Sequence, residues 1–401
     1  MREFFFFSVL SVSLFAQSPK EIRAMAKDGA IAIPKLRELL RSPETSTRAE
    51  AVKTIVDISG AASIDPLILA TRDNDPEIQI RATDGLVNFY VPGYARAGAG
   101  SSLRRAGNNI KAKFTDTNDQ TVDPYVVVRP DVIQALGKLA RGGASMDSRA
   151  NAARAIGVLR GAAALPDLIE ALRTKDGNVL YECLIAMQKI GEESAGPKVG
   201  YLLHDLDQKV QLAAIETAGI LRDRSALGDL KNLVKESREN KVKRAALTAA
   251  AMMPDPANRD LYAAYLHDRD ERLRAAAAEG FARLRNPVDA PTLQQAYDDE
   301  GKRSPRLSLA FALVMDGKTE DSEYGPLRDL INSLNSVAYR GEAIPFLMEA
   351  ARERVVRDAL YAPLETGTKD EKIQLAKILA ASGDRSTIPH LEKASRDRDE
   401  K

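Results

Sequence analysis

A single cysteine, Cys183, stands among 401 residues. The chain therefore forms no internal disulfide and carries no CxxC redox or zinc motif. Tryptophan is absent, and phenylalanine and tyrosine number only 10 and 11. Neither sign of charge dominates, since 58 Lys+Arg face 57 Asp+Glu, so no global field draws the chain to nucleic acid. After the first 16 residues no apolar run approaches the ~18 needed to span a membrane. What abounds instead is alanine, with 60 residues, alongside 29% charged residues. Such usage suits helices packed on helices and argues against a β-sandwich or barrel. The length exceeds what one compact core usually holds, which predicts several domains or one elongated array.

Arg2 precedes an apolar run from Phe4 to Phe15, and Gln17-Ser18-Pro19 follows Ala16. The pattern reads as a secretory signal peptide over residues 1–16, cleaved near Ala16. The expected location is then periplasmic or extracellular, with no transmembrane helix in the mature chain.

An internal repeat is the strongest feature. One ladder falls at Thr47, Ile80, Ser148, Val179, Val210, Val242 and Leu273, with steps of 33, 68, 31, 31, 32 and 31 residues. The step of 68 is either two periods or one period plus an insertion. Small or apolar residues recur four, seven and eleven positions after each rung, as in Ala152, Ala155 and Leu159. These offsets trace one face of an α-helix. An acid usually stands three residues before the rung, as at Glu44, Glu77, Asp176, Asp207, Glu239 and Asp270, where it suits the positive end of a helix. A second ladder of prolines, at 34, 66, 166, 197, 291, 326 and 389, opens shorter apolar-periodic helices such as IPKLRELL, proline being tolerated in a first helical turn. Each unit is thus a proline-opened first helix, a turn and a second helix.

The pattern D-x-x-V-R-x-x-A-A-x-x-x-x-x-L, clearest in DERLRAAAAEGFARL (Asp270–Leu284) and DQKVQLAAIETAGIL (Asp207–Leu221), resembles HEAT-like repeats of the phycobilisome-lyase type. The resemblance covers about Ala30 to Ser395 outside one segment. It implies an all-α, armadillo/HEAT-like α-solenoid superhelix of about ten helix pairs, and leaves the chemistry open. The motif arginine, present as Arg48, Arg81, Arg149 and Arg274, reads as an inter-repeat packing or hydrogen-bond ladder. After Leu284 the pattern degrades. Ser304–Val314 reads as a helix out of register, and Pro345 either opens a first helix or sits early in a second one. The expected organisation is HEAT-like repeats at 20–92, a basic loop insertion at 93–130, regular repeats at 131–300, and degenerate repeats with a polar cap at 301–401.

The insertion carries Arg96, Arg104, Arg105, Lys111 and Lys113 with no acid before Asp116. Ser102–Phe114 has the composition of a short helix and Tyr125–Val128 that of a strand. The segment either packs Tyr94, Phe114 and Tyr125 onto the neighbouring repeat, or uses its five cations to bind a partner or an anionic surface.

Catalytic signatures are sparse. The spacing of His204 and His267 is that of the repeat itself. Deoxyhypusine hydroxylases, a di-iron group built on HEAT-like arrays, use repeated His-Glu dipeptides, and no histidine here precedes glutamate. Phycobilin lyases share the repeat type, but no bilin pocket is identifiable. Cys183, among Leu180, Leu184 and Ala186, reads as a core thiol. The expectation is a non-enzymatic scaffold without cofactor or metal. It would bind a protein or peptide, and no nucleic acid, on a concave face lined by second helices. Six residues past each rung, that face would display Lys53, Leu86, Arg154, Ile185, Glu216, Thr248 and Glu279. The alternatives are an adaptor acting through the basic insertion and a lyase-like or accessory enzyme subunit.

Overall fold

A computed structural model describes residues 18–94 and 120–396. Among them there are helices, turns and loops but no strand. The chain divides into two compact units that meet between Glu192 and Glu193. The fold is an α-solenoid of paired helices. The first unit holds α1 (Pro19–Ala24), α2 (Ile33–Leu39), α3 (Thr45–Ile58), α4 (Ile64–Ala70), α5 (Pro76–Tyr90), α6 (Pro130–Gly142), α7 (Met146–Val158), α8 (Leu165–Ala171) and α9 (Gly177–Ile190). Here the second helices α3, α5, α7 and α9 stack in sequence, backed by α2, α4, α6 and α8.

The second unit opens on two short 3-10 stretches, Glu193–Lys198 and Gly200–His204. It continues with α10 (Gln208–Ile220), α11 (Leu227–Glu236), α12 (Asn240–Ala251), α13 (Arg259–Tyr265), α14 (Glu271–Leu284), α15 (Ala290–Asp299) and α16 (Arg303–Met315). The closing elements are α17 (Pro326–Asn332), α18 (Arg340–Ala350), α19 (Arg354–Ala359), α20 (Tyr361–Thr366), α21 (Lys369–Ser382) and α22 (Ile388–Ser395). Its second helices are α10, α12, α14, α16, α18 and α21, each packed on the next.

Helix starts fix the register. Asp176, Asp207 and Asp270 are N-caps whose carboxylates accept backbone N–H groups of Val179, Lys209 and Arg272. Glu44 and Glu239 occupy the same place without a side-chain cap bond, as expected for a side chain one methylene longer than the favoured Asp. In α5 the cap is Asp75, which binds the Ile78 N–H at 3.0 Å, and not Glu77. The buried rung of that helix is therefore Ile78 rather than Ile80, and the step from Thr47 becomes 31 residues. The long step that follows is one period plus an insertion, because α6 supplies the only intervening first helix among the described residues.

Three expectations need correction. Pro197 does not open an α-helix: it lies inside a 3-10 stretch, where Gly191, Gly196 and Gly200 interrupt any longer helix. Gly196 itself is held close, since a Cβ there would stand 2.8 Å from that of Asp223. The segment 304–314 is in register. Its helix α16 begins after Lys302 and places buried Pro305 32 residues after Leu273. The register was obscured because apolar residues surround that helix on every side. Tyr125–Val128 forms no strand; it is a turn and irregular chain, with Tyr125 81% exposed. Pro345 opens no first helix: it belongs to α18, which packs on α17 as a second helix, but it lies mid-helix rather than early in it.

Two of the motif arginines, Arg48 and Arg274, tie repeats together, whereas Arg149 donates to the Ala140 carbonyl of its own pair and the register of α5 puts Gln79, not Arg81, at the motif position. Arg48, on α3, donates to the carbonyls of Ser42 and Pro43 in its own turn and to Asp73 in the next turn, 2.7 Å away. Arg274 repeats this with Asp268, Arg269 and Glu300. Arg357 makes a similar set of bonds with Ala351, Arg352 and Asp384, but at turns that follow the second helices α18 and α21. Each guanidinium thus satisfies carbonyls left open by a tight turn while pairing with an acid one period on. At the edge where second helices end, six of them, α3, α7, α9, α10, α14 and α16, are followed by residues with left-handed backbone: Ser59, Arg160, Gly191, Arg222, Arg285 and Gly317. That single reversal swings the chain into the next first helix.

Candidate functional site

The outward side of the second helices is where side chains are spared from the core. With the corrected register, the sixth residue past each rung in the first unit is Lys53, Asp84, Arg154 and Ile185. Leu86, expected outward, is fully buried. Lys53 is half-buried on α3. Arg154, on α7, reaches α9, donating to Glu182 through Nη2 at 2.6 Å and Nε at 3.1 Å. The Glu182 side chain is 1% exposed. Beside this pair Asn151 donates to Asp84 at 2.9 Å. Such a pair lies deep for a helix face that would otherwise meet water, and Tyr94 stands beside it. The Tyr94 phenol hydrogen-bonds Arg154, and its pKa is raised by burial first and by the charges of Asp84 and Glu182. The return side of the insertion rests on the same helices. Lys189 donates to the Gln120 carbonyl at 3.2 Å, and the Val122 N–H donates to the Val158 carbonyl at 2.8 Å. Of the three aromatics expected to pack the insertion, Tyr94 does so, Tyr125 does not, and Phe114 lies outside the described residues. Arg96, Arg104, Arg105, Lys111 and Lys113 also lie outside them, as do the segments 1–16 and Ser102–Phe114.

In the second unit the same offset gives Glu216, Thr248, Glu279 and Phe311. Glu216 is exposed on α10. Glu279 belongs to a cluster centred on Arg283. That guanidinium embraces Glu349 of α18 with Nε at 2.9 Å and Nη2 at 2.8 Å, and gives Nη1 to Glu279 at 3.2 Å. It also lies over the Phe311 ring, 5.6 Å from its centroid, and that ring stacks on Phe346 at 4.8 Å. Ser304 donates to Glu342 at 2.5 Å on the same side. Burial raises the pKa of Glu279, the Arg283 charge lowers it, and Glu349 and Glu342 add to the rise. Two carboxylates on one guanidinium, with Glu342 close enough to act on Glu279, make this part of the face acidic.

Glu182 and Arg283 went unnoticed in the sequence although they share the face. They stand three and ten residues past their rungs, beside the sixth in helical projection. Tyr94, Glu342 and Glu349 had no periodic signal. Elsewhere, His204 stands 3.9 Å from Asp229, and His390 stacks on Tyr361 with ring centroids 3.7 Å apart. Cys183 is buried and its thiol pKa is pushed up to about 12 by burial. Among the described residues no group of three or more His, Cys, Asp or Glu is placed to hold a metal ion, and no helix is long and apolar enough to cross a membrane.

The sequence pattern of HEAT repeats matches residues 133–217 and 229–314. No curated protein matches the chain. Among solved structures, similarity extends to the complex of CpcE and CpcF of phycocyanin lyase from Nostoc sp. PCC7120, with 17% identity over 78% of this chain and 92% of that one, and a TM-score of 0.33. Human deoxyhypusine hydroxylase is similar at 15% identity over 63% of this chain and 96% of that one, with a TM-score of 0.29. Importin beta is similar at 12% identity over 94% of this chain and 60% of that one, with a TM-score of 0.47.

Proposed function

We propose that the chain is a non-catalytic interaction scaffold that binds a protein or peptide through the outward face of its second helices. The observation that carries this is the arrangement on that face. Helix after helix displays a side chain at the same offset, and the residues differ in charge and size: Lys53, Asp84, Arg154, Glu216, Glu279. A repeated backbone with varied side chains suits an extended, mixed-charge partner better than a small substrate in one pocket. The isolated histidines and the sealed thiol of Cys183 support a role without catalysis. The apolar run Phe4–Phe15 supports action after export, in the periplasm or outside the cell.

The test is affinity capture from native extracts with the full chain as bait, compared with a Glu216→Lys, Glu279→Lys variant of equal helicity. The reading expects specific proteins retained by the natural chain and lost by the variant. Identical retention by both would overturn it.

A further inference from the structure

The last described helix, α22, buries none of its own residues fully. The contacts that tie it to α20 are aromatic and polar. The His390 ring lies parallel to that of Tyr361, with centroids 3.7 Å apart and planes 5° apart. Nδ1 of the same imidazole stands 4.0 Å from Glu365 Oε1, and the other oxygen of Glu365 accepts from Lys393 Nζ at 2.7 Å. Just before the helix, the Thr387 hydroxyl lies 3.3 Å from that of Tyr361. The groups that face His390 are thus Tyr361 and Glu365 from α20, with Lys393 from its own helix. The helix α21, which also packs on α22, forms no ion pair with His390 among the described residues. The side chains of His390 and Glu365 are 35% and 33% exposed, so protons reach both.

We propose that His390 is an acid-tightened latch: its protonated ring clamps α22 onto α20 between the face of Tyr361 and the carboxylate of Glu365, and loss of that proton loosens the last helix. An imidazolium gains from an aromatic face beneath it and from a carboxylate 4.0 Å away, whereas a neutral imidazole keeps only the stack. Histidine changes charge between pH 5 and 8. Glu365 stays ionised across that range, its carboxyl held below the usual carboxylate range first by the Lys393 hydrogen bond and also by the charges of Lys393 and His390. The docked helix favours the protonated ring, so the extra hold is present at the acid end and is lost as pH rises. Because α22 closes the array, its release gives up only nearest-neighbour contacts and leaves the other helices in place. The latch lies apart from the outward face and works whether or not that face binds a partner.

The test is amide hydrogen exchange of the full chain, read by mass spectrometry between pH 5 and pH 8 and corrected for the intrinsic pH dependence of exchange. Residues 388–395 of α22 report docking, and α10 serves as the internal reference. Relative to that reference, protection of α22 should be about three- to ten-fold higher at pH 5 than at pH 8, the range of one exposed ring–cation contact joined to one exposed ion pair. His390→Phe keeps a stacked ring without the charge and should give the same protection at both ends of the range. Glu365→Gln should retain only the part of the response that comes from Tyr361, and high salt should shrink the natural chain's response toward that of Glu365→Gln. Should the bulkier phenylalanine fail to dock, His390→Gln removes the titrating group in a smaller side chain and should also respond flatly. Protection of α22 that does not change with pH in the natural chain would overturn the latch. So would a pH response of His390→Phe or His390→Gln as large as that of the natural chain.

Discussion

Arg222 follows α10 with φ +52°, an exposed side chain and, among the described residues, only a backbone hydrogen bond to Gly219. A non-glycine residue in the left-handed region costs about 1–2 kcal/mol relative to the right-handed one. Glycine removes that cost but loses about 0.5–1 kcal/mol more backbone entropy on folding. The difference predicts that Arg222→Gly stabilises the second unit by about 0.5–1 kcal/mol. For a unit of this size that is a rise in melting temperature of about 1–4 °C. Gly191 supplies the opposite control. It has φ +77° with nothing within 4 Å of a built Cβ, so Gly191→Ala introduces conformational strain without a clash and should destabilise by about 1 kcal/mol. Arg285 supplies a third case. It shares the geometry, with φ +50°, but pairs with Glu353 at 2.8 Å with both side chains nearly half exposed. Losing such a pair costs about 0.2–1 kcal/mol, so Arg285→Gly should come out near neutral. Thermal and urea unfolding by circular dichroism reads all three. A lowered midpoint for Arg222→Gly, or the same sign for Arg222→Gly and Gly191→Ala, would refute the strain argument.

Asp316 has both carboxylate oxygens buried without a partner, and burial, with the charge of Asp289 second, pushes its pKa up to about 6. Its folded pKa lies above the unfolded one, so the native state binds more protons between pH 4 and 6 and stability falls as pH rises through that window. Asp316→Asn should therefore stabilise on the order of 1 kcal/mol at pH 7.5, partial exposure being allowed for, and do nothing near pH 4; urea midpoints at the two pH values decide it. Arg274→Ala leaves Glu300, whose side chain is 7% exposed, without its cation and opens the turn carbonyls of Asp268 and Arg269. A loss of about 2–4 kcal/mol is expected in equilibrium unfolding. Gly219→Ala would set a Cβ 2.8 Å from the Cα of Ala249, a backbone contact that cannot rotate away, and should cost about 1–3 kcal/mol. A neutral result would mean that α10 and α12 slide apart freely.

The helix pairing was legible in the sequence because two constraints repeat together. Proline is best tolerated in a first turn, and the packed face of a second helix needs apolar or small residues at 0, 4, 7 and 11. Where either constraint was locally diluted, the register was misread. In α5 both Ile78 and Ile80 are buried, and periodicity alone could not choose between them; the cap bond from Asp75 to Ile78 does. In α16 apolar residues run from Leu307 to Val314 on nearly all sides, so the helical face had no contrast. At 193–204 the proline was present, but three glycines nearby removed the helix it would have opened. The outward face was partly legible, since Arg154 and Glu279 follow from the period. Their partners, Tyr94 and Glu349, do not. Tyr94 comes from outside the array, and Glu349 lies two repeats beyond Arg283, in a stretch where the step between second helices lengthens.

That division has a physical source. Stability in such an array is a sum of repeat and nearest-neighbour terms, and here those terms sit in three places: the apolar faces between helices, the arginine–acid ties at one set of turns, and the left-handed reversals at the other. The first recurs with the period, and the other two at a part of the repeats. Among the described residues the outward face is drawn in at the Arg154 and Arg283 pairs, and its remaining residues can vary at less cost to the fold. It is therefore the surface on which a partner's preferences can be written, and the two places where the face is drawn into the structure are the two where binding and stability should be coupled. Replacing Glu216, exposed on α10, should alter capture of a partner. Replacing Arg283, which holds Glu349 and Glu279 at once, should change both capture and stability, the latter by about 2–4 kcal/mol. If Arg283→Ala left the melting temperature of the full chain untouched, the cluster would be a surface decoration and the coupling would fail.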